Sequence, residues 1–273
     1  MITDHRAAKV LLSLFLAAAL SAAACAAPAG AGNRSAETQR RQKTSDDKNP
    51  QYQYEMGVIA LRYGLVDEAV RYGKLAVSLD PGHFDGWNLL GSAYYTKGEF
   101  ALAAEAYGKA VAIKPGSADV QRGLGLAYVE LKEIVKAEAA LKRSYEINGG
   151  YESAFHLGKL YYTAGRSEEA LDYALKSIQK NGKNAGAYNL KGVVLNQLGR
   201  YAEAAGSFQA GLVLAPGDIN LQVNLGIALL NSGEPSKARA VFEAVLPKIE
   251  QDGLKKQVED YIKAIKDAGK LRP

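Results

Sequence analysis

Three histidines and a single cysteine are nearly all that this chain offers to nucleophilic or metal chemistry beyond its carboxylates and amines. A catalytic centre needs titratable groups held together, and here they are scattered. His5 lies near the start, His83 falls in a turn, and His156 sits on a helix beside Phe155, so neither of the latter two has a second histidine at ligand spacing. Solvation or a hydrogen bond accounts for each. No His-Glu-x-x-His, paired-cysteine, Walker-type or Gly-x-Ser-x-Gly arrangement occurs. The acidic pairs Asp67/Glu68 and Glu168/Glu169 fall at expected helix starts, where a carboxylate offsets the helix dipole. The inventory predicts no enzyme, no metal, no cofactor and no small-molecule substrate.

The cysteine, Cys25, has a different chemistry open to it. His5, Arg6 and Lys9 precede the apolar run from Val10 to Leu20, and the small residues Ala22, Ala23 and Ala24 lead into Cys25. So short an apolar run falls below the roughly 20 residues that a membrane span needs and fits an export signal over residues 1–24. A lone thiol in an oxidising compartment is a liability, and acylation would remove it. The stretch resembles a bacterial lipoprotein signal, with Ala22 standing where leucine is usual. That resemblance implies a lipid on Cys25 and, through Ala26, sorting to the periplasmic face of the outer membrane. The alternative is a soluble periplasmic protein cut at Ala27-Pro28-Ala29. Acyl chains, at about 0.8 kcal/mol per buried methylene, would make such an anchor lasting. Residues 25–49 combine that cysteine with Ala, Gly, Ser, Gln and charge, a composition expected of a flexible tether.

The formal net charge of +5 is unevenly placed: residues 1–24 carry +1, 25–49 carry +2 and 251–273 carry +2, leaving 50–250 neutral. Nucleic-acid binders concentrate their cations on the binding surface, so no nucleic-acid partner is expected.

Stepping out from the reactive groups, Gly57, Gly91, Gly125, Gly158, Gly192 and Gly226 recur at 34 residues with one step of 33, each followed twelve residues later by alanine: Ala69, Ala103, Ala137, Ala170, Ala204 and Ala238. A small residue at one register position of such a period marks a close helix crossing, which predicts tandem helix pairs. In the second period Trp87, Leu90, Gly91 and Tyr94 share one helix, Ala103, Tyr107 and Ala110 the next, and Pro115 closes the unit. These types and spacings resemble the tetratricopeptide repeat. The resemblance implies an all-α chain, a right-handed α-solenoid of six helix-turn-helix repeats at 50–83, 84–117, 118–150, 151–184, 185–218 and 219–250. Gly98, Gly165, Gly199 and Gly233 are expected in the turns at positive φ, and Pro81, Pro115 and Pro216 just past second helices.

Several positions depart from that pattern. Lys191 replaces a leucine, Gly73 an aromatic, and Gly149 and Gly182 a proline; the one-residue deletion also falls at 149–150. That junction is either a hinge or a turn one residue tighter. Leu254, Val258, Tyr261, Ile262 and Ile265 form an apolar stripe over 251–273, read as a capping helix, with a membrane-surface helix as the alternative.

The repeat resemblance also places a binding groove on the inner face, built from fixed positions of each first helix. Carried onto this sequence, it is lined by Tyr54, Asn88, Tyr95, Arg122, Leu126, Phe155, Lys159, Tyr162, Asn189, Val193 and Asn196. Aromatic and aliphatic anchors with amides suit an extended polypeptide. Tyr54 and Val58 stand where a carboxylate clamp would need basic or amide groups. Leader plus six repeats resembles the pilotin lipoproteins of type IV pilus systems, which implies a secretin subunit as partner; a general envelope adaptor for cell-wall enzymes or assembly factors is the alternative.

Overall fold

The computed structural model describes residues 46–270, and these form thirteen α-helices and one 3-10 turn with no strand among them. The leader, Cys25 and most of the tether lie outside the described residues. The helices run in pairs: α1 (Pro50–Arg62) with α2 (Val66–Leu79), α3 (Phe84–Lys97) with α4 (Phe100–Ile113), α5 (Ala118–Glu130) with α6 (Ile134–Asn148). Then come α7 (Tyr151–Thr163) with α8 (Ser167–Lys180), α9 (Ala185–Gln197) with α10 (Tyr201–Leu214), and α11 (Ile219–Asn231) with α12 (Pro235–Val245). The turn Leu246–Lys248 leads to α13 (Asp252–Lys270). All six first helices begin where the sequence period placed them. The chain divides into two compact units, the first ending at Ala140 inside α6 and the second beginning at Leu141.

Side-chain caps start several first helices. Asn49 accepts from the Gln51 and Tyr52 amides, Asn184 from Ala187 and Asp218 from Leu221, satisfying donors that have no partner within the helix. His83, assigned only to a turn from sequence, does the same for α3: its Nδ1 accepts from the Gly86 amide at 2.9 Å. Between paired helices the chain passes through the left-handed region at Gly98, Gly165, Gly199 and Gly233 as expected, and also at Gly64. In the third pair Lys132 takes this conformation at φ 60°.

The periodic glycines are explained by side chains more than by backbones. A Cβ on Gly91 would lie 2.5 Å from the Tyr107 ring, one on Gly192 2.5 Å from Phe208, and one on Gly226 2.4 Å from Phe242. In each case an aromatic sixteen residues on, from the second helix, occupies the space beside the first. Where that later residue is small, another side chain takes the space. Gly73 follows Gly57 and Ala174 follows Gly158, and there the glycine faces Leu89 at 2.4 Å and Leu190 at 2.9 Å, both from the next first helix. The Gly73 departure therefore moves a leucine into the aromatic's place without opening a hole. The alanines twelve residues on are all fully buried. Each fully buried ring such as Phe208 or Phe242 contributes roughly 1.5–3 kcal/mol.

Between α6 and α7 only Gly149 and Gly150 intervene, and Gly149 has φ 60°. Within the second unit this junction is bound by buried hydroxyls: Ser144 Oγ and Ser153 Oγ lie 2.7 Å apart, and Ser177 Oγ donates to the Tyr151 carbonyl at 3.0 Å. These bonds describe a tighter, cross-braced turn.

At the far end Val258 and Ile262 of α13 are buried, and Tyr261 stacks on Phe242 with centroids 5.3 Å apart. The apolar stripe thus covers the last repeat, as a cap does, and the Lys266–Glu243 ion pair at 3.2 Å closes its edge.

Candidate interaction surface

Within each unit the first helices approach one another. α1 touches α3 and α3 touches α5; α7 touches α9 and α9 touches α11; any contact between consecutive second helices is slighter. Helices that crowd on one side and spread on the other make that side the inner one. Side chains of the first helices therefore line it, and those predicted from the repeat resemblance are distributed between the two units.

In the first unit Tyr54, Asn88, Tyr95, Arg122 and Leu126 are all half-buried. The Tyr54 ring lies 5.9 Å from the His83 ring, whose Nε2 is 3.3 Å from Gln51 Oε1. Tyr95 meets Phe100 edge-on at 5.3 Å. Burial pushes the Tyr54 phenol up, with the charges of Asp85 and Glu55 adding to it; burial and then Glu130 do the same for Tyr95. Arg122 pairs with Asp119 at 3.0 Å. Beneath this surface the Tyr107 hydroxyl reaches Ser92 Oγ at 3.1 Å, and burial raises its pKa.

In the second unit Phe155, Tyr162, Asn189, Val193 and Asn196 are half-buried and Lys159 is exposed. Lys159 Nζ stands 5.8 Å from the centre of the Phe155 ring, within cation–π reach. Gly186 of α9 borders that ring: a Cβ there would sit 3.4 Å from it, an ordinary contact distance. Asn189 Oδ1 accepts from Asn224 Nδ2 at 3.0 Å, an amide pair joining α9 to α11. Asn224 escaped the sequence reading because it lies one position beyond the expected lining register. Asn196 Oδ1 is buried without a hydrogen-bond partner.

Of the described histidines, His83 caps α3 and His156 lies 5.6 Å from the Phe155 ring. No group of three His, Cys, Asp or Glu side chains among the described residues is placed to hold a metal ion. No described helix is long and apolar enough to cross a membrane. An open groove of about 1020 Å³ lies at the seam of the cap, lined by Pro235, Arg239 and Glu243 of α12, Ile265 of α13 and Leu230 of α11.

Models of the tetratricopeptide repeat match residues 91–132, 155–219 and 195–254. Among curated proteins the chain is 22% identical over 195 residues to BBSome complex member BBS4 of Bos taurus, covering 71% of this chain and 36% of that protein. It is 30% identical over 165 residues to Protein FlbA of Caulobacter vibrioides, covering 59% and 27%. The chain spans about a third of the length of the curated relatives it matches. Among solved structures, pilF of Pseudomonas aeruginosa superposes with a TM-score of 0.68 at 17% identity, over 79% of this chain and 99% of that one. YrrB, described as a tetratricopeptide protein with an unusual peptide-binding site, gives 0.57 at 18%, over 67% and 94%. At these identities the likeness establishes the fold.

Proposed function

From the premise that this chain carries tetratricopeptide repeats, we propose that it is a non-enzymatic scaffold whose inner face holds an extended segment of a partner protein. The observation that carries this is made in each unit by itself: half-buried aromatics and amides stand on first helices that crowd together, Tyr54 and Tyr95 in the first unit and Phe155, Tyr162 and Asn189 in the second. Half-buried rings supply contact area at little entropic cost, and amides bond a peptide backbone without demanding its sequence. Neither nucleic acid nor a small-molecule substrate is needed by this reading.

The setting we propose is the cell envelope, with a lipid on Cys25 holding the repeats at the periplasmic face of the outer membrane. The lipoprotein-like leader supports this setting. Within it a pilotin-like role, delivering a secretin subunit for type IV pilus assembly, draws support from the fold shared with pilF along nearly all of that protein. The general adaptor remains the second reading, favoured by the fold shared with a peptide-binding repeat protein.

Deleting the gene should strip secretin multimers from the outer membrane, and Cys25→Ser should shift the protein from the membrane fraction to the soluble one. Normal multimers in the deletion strain would exclude the pilotin role and leave the adaptor. Continued sedimentation of the serine variant would exclude the lipid.

A further inference from the structure

Building on the reading that the inner face grips a polypeptide, we propose that the first unit's inner face takes a cationic segment of a partner protein, its arginine or lysine side chains lying between tyrosines and carboxylates. Each tyrosine there has an acid supplied by the next first helix. Tyr54 lies on α1, which packs against α3, whose first turn carries Asp85; Tyr95 lies on α3, which packs against α5, whose last residue is Glu130. Asp85 and Glu130 are exposed and have no ion-pair partner among the described residues, whereas Asp119 is engaged by Arg122. Two cations share the lining of this unit: Arg122, paired with Asp119, and Arg62, exposed in the last turn of α1. The unit as a whole, from residue 46 to 140, carries three more carboxylates than cations.

The rings give a second, separate indication. Elsewhere this protein places its own cations over aromatic faces: Lys114 over Phe84, Lys136 over Tyr128 and, on the second unit's inner face, Lys159 over Phe155. Among the described residues no such cation covers Tyr54 or Tyr95. A guanidinium laid there would meet a ring face and an unmatched carboxylate together, two attractions that reinforce each other and that a glutamate or neutral side chain would forgo.

The test is fluorescence anisotropy on the full chain with a short labelled peptide alternating arginine and serine, against counterparts carrying glutamine or glutamate in place of arginine. The arginine peptide should bind about tenfold or more tighter than the glutamine one and weaken as salt is raised. Asp85→Asn with Glu130→Gln should cost it about three- to tenfold with the fold retained, the melting temperature moving only by the small dipole contribution of a first-turn carboxylate. Equal affinity for all three peptides, or indifference to the two substitutions, would overturn the proposal. Should Arg40→Gln, Arg41→Gln and Lys43→Gln together raise the affinity, the surface belongs to the chain's own basic run, and the assignment to a partner falls. Failure here is separable from failure of the groove itself. Peptides bound equally but lost on Tyr95→Ala would overturn only the charge preference; peptides bound regardless of Tyr95 and Tyr54 would sink the groove reading too.

Discussion

Gly192 carries a hydrogen where any other residue would put a carbon, and the fully buried Phe208 ring fills that place. Alanine at 192 must therefore displace a ring that has nowhere to go, at a cost of about 1–3 kcal/mol. Gly206, on the partner helix of the same pair, is exposed and meets nothing within 4 Å of its Cβ position. There alanine should stabilise by up to about 1 kcal/mol through helix propensity alone. Paired thermal melts of Gly192→Ala and Gly206→Ala check both signs, and two shifts of the same sign would refute the packing argument. Lys132 presents the reverse case. It is a side-chain-bearing residue held at φ 60° in a turn where the five other pairs use glycine in the same conformation, so Lys132→Gly should raise stability by about 0.5–1 kcal/mol in denaturant titration. The sequence disclosed the first of these constraints as a period and concealed its mechanism. A repeated glycine says that something comes close; that the neighbour is Tyr107, Phe208 or Phe242, and a leucine from the following helix where the ring is missing, depends on packing across a helix pair.

Helix starts were legible because every first helix opens at one register position and several carry a side-chain cap. The braced junction at 149–150 was legible only as a deletion, since a hinge and a tight turn look alike until Ser144 and Ser153 are brought together across it. The cap shows a pH dependence that the sequence does not announce. Glu243 on α12 accepts from Arg239 on its own helix and pairs with Lys266 on α13, and these contacts, the Arg239 bond foremost, hold its carboxyl below the ordinary range. A carboxyl whose folded pKa is depressed contributes stability that is full above its unfolded value and is lost as pH falls through the folded one. Acid should therefore loosen α13 below about pH 4, the usual glutamate range, by an amount kept small by solvent exposure. Glu243→Gln should flatten that part of the stability-versus-pH curve, read by circular dichroism melts; an unchanged acid limb would place the loss elsewhere.

For the molecule as a whole, architecture and activity differ in how much the sequence reveals. Architecture is written many times over, in six periods that agree, so a departure such as Gly73 or Lys191 cannot obscure it. Binding is written once, in side chains on the inner faces whose register must be inferred before their exposure can be judged. Lining positions such as Tyr54 and Tyr95 could be placed from the period, but their neighbouring carboxylates and uncovered rings follow from which helix comes to lie beside which. The outer helices provide the control. Val135 is 83% and Val213 82% exposed, two aliphatics on second helices that a partner gripping the outer side would cover. Affinity capture from detergent-solubilised envelope should compare the native chain, the combined Tyr95→Ala, Phe155→Ala and Tyr162→Ala variant, and the combined Val135→Ser and Val213→Ser variant. The account predicts that the aromatic variant loses the captured polypeptide while the valine variant keeps it; full recovery by the aromatic variant, with loss by the valine one, would contradict it.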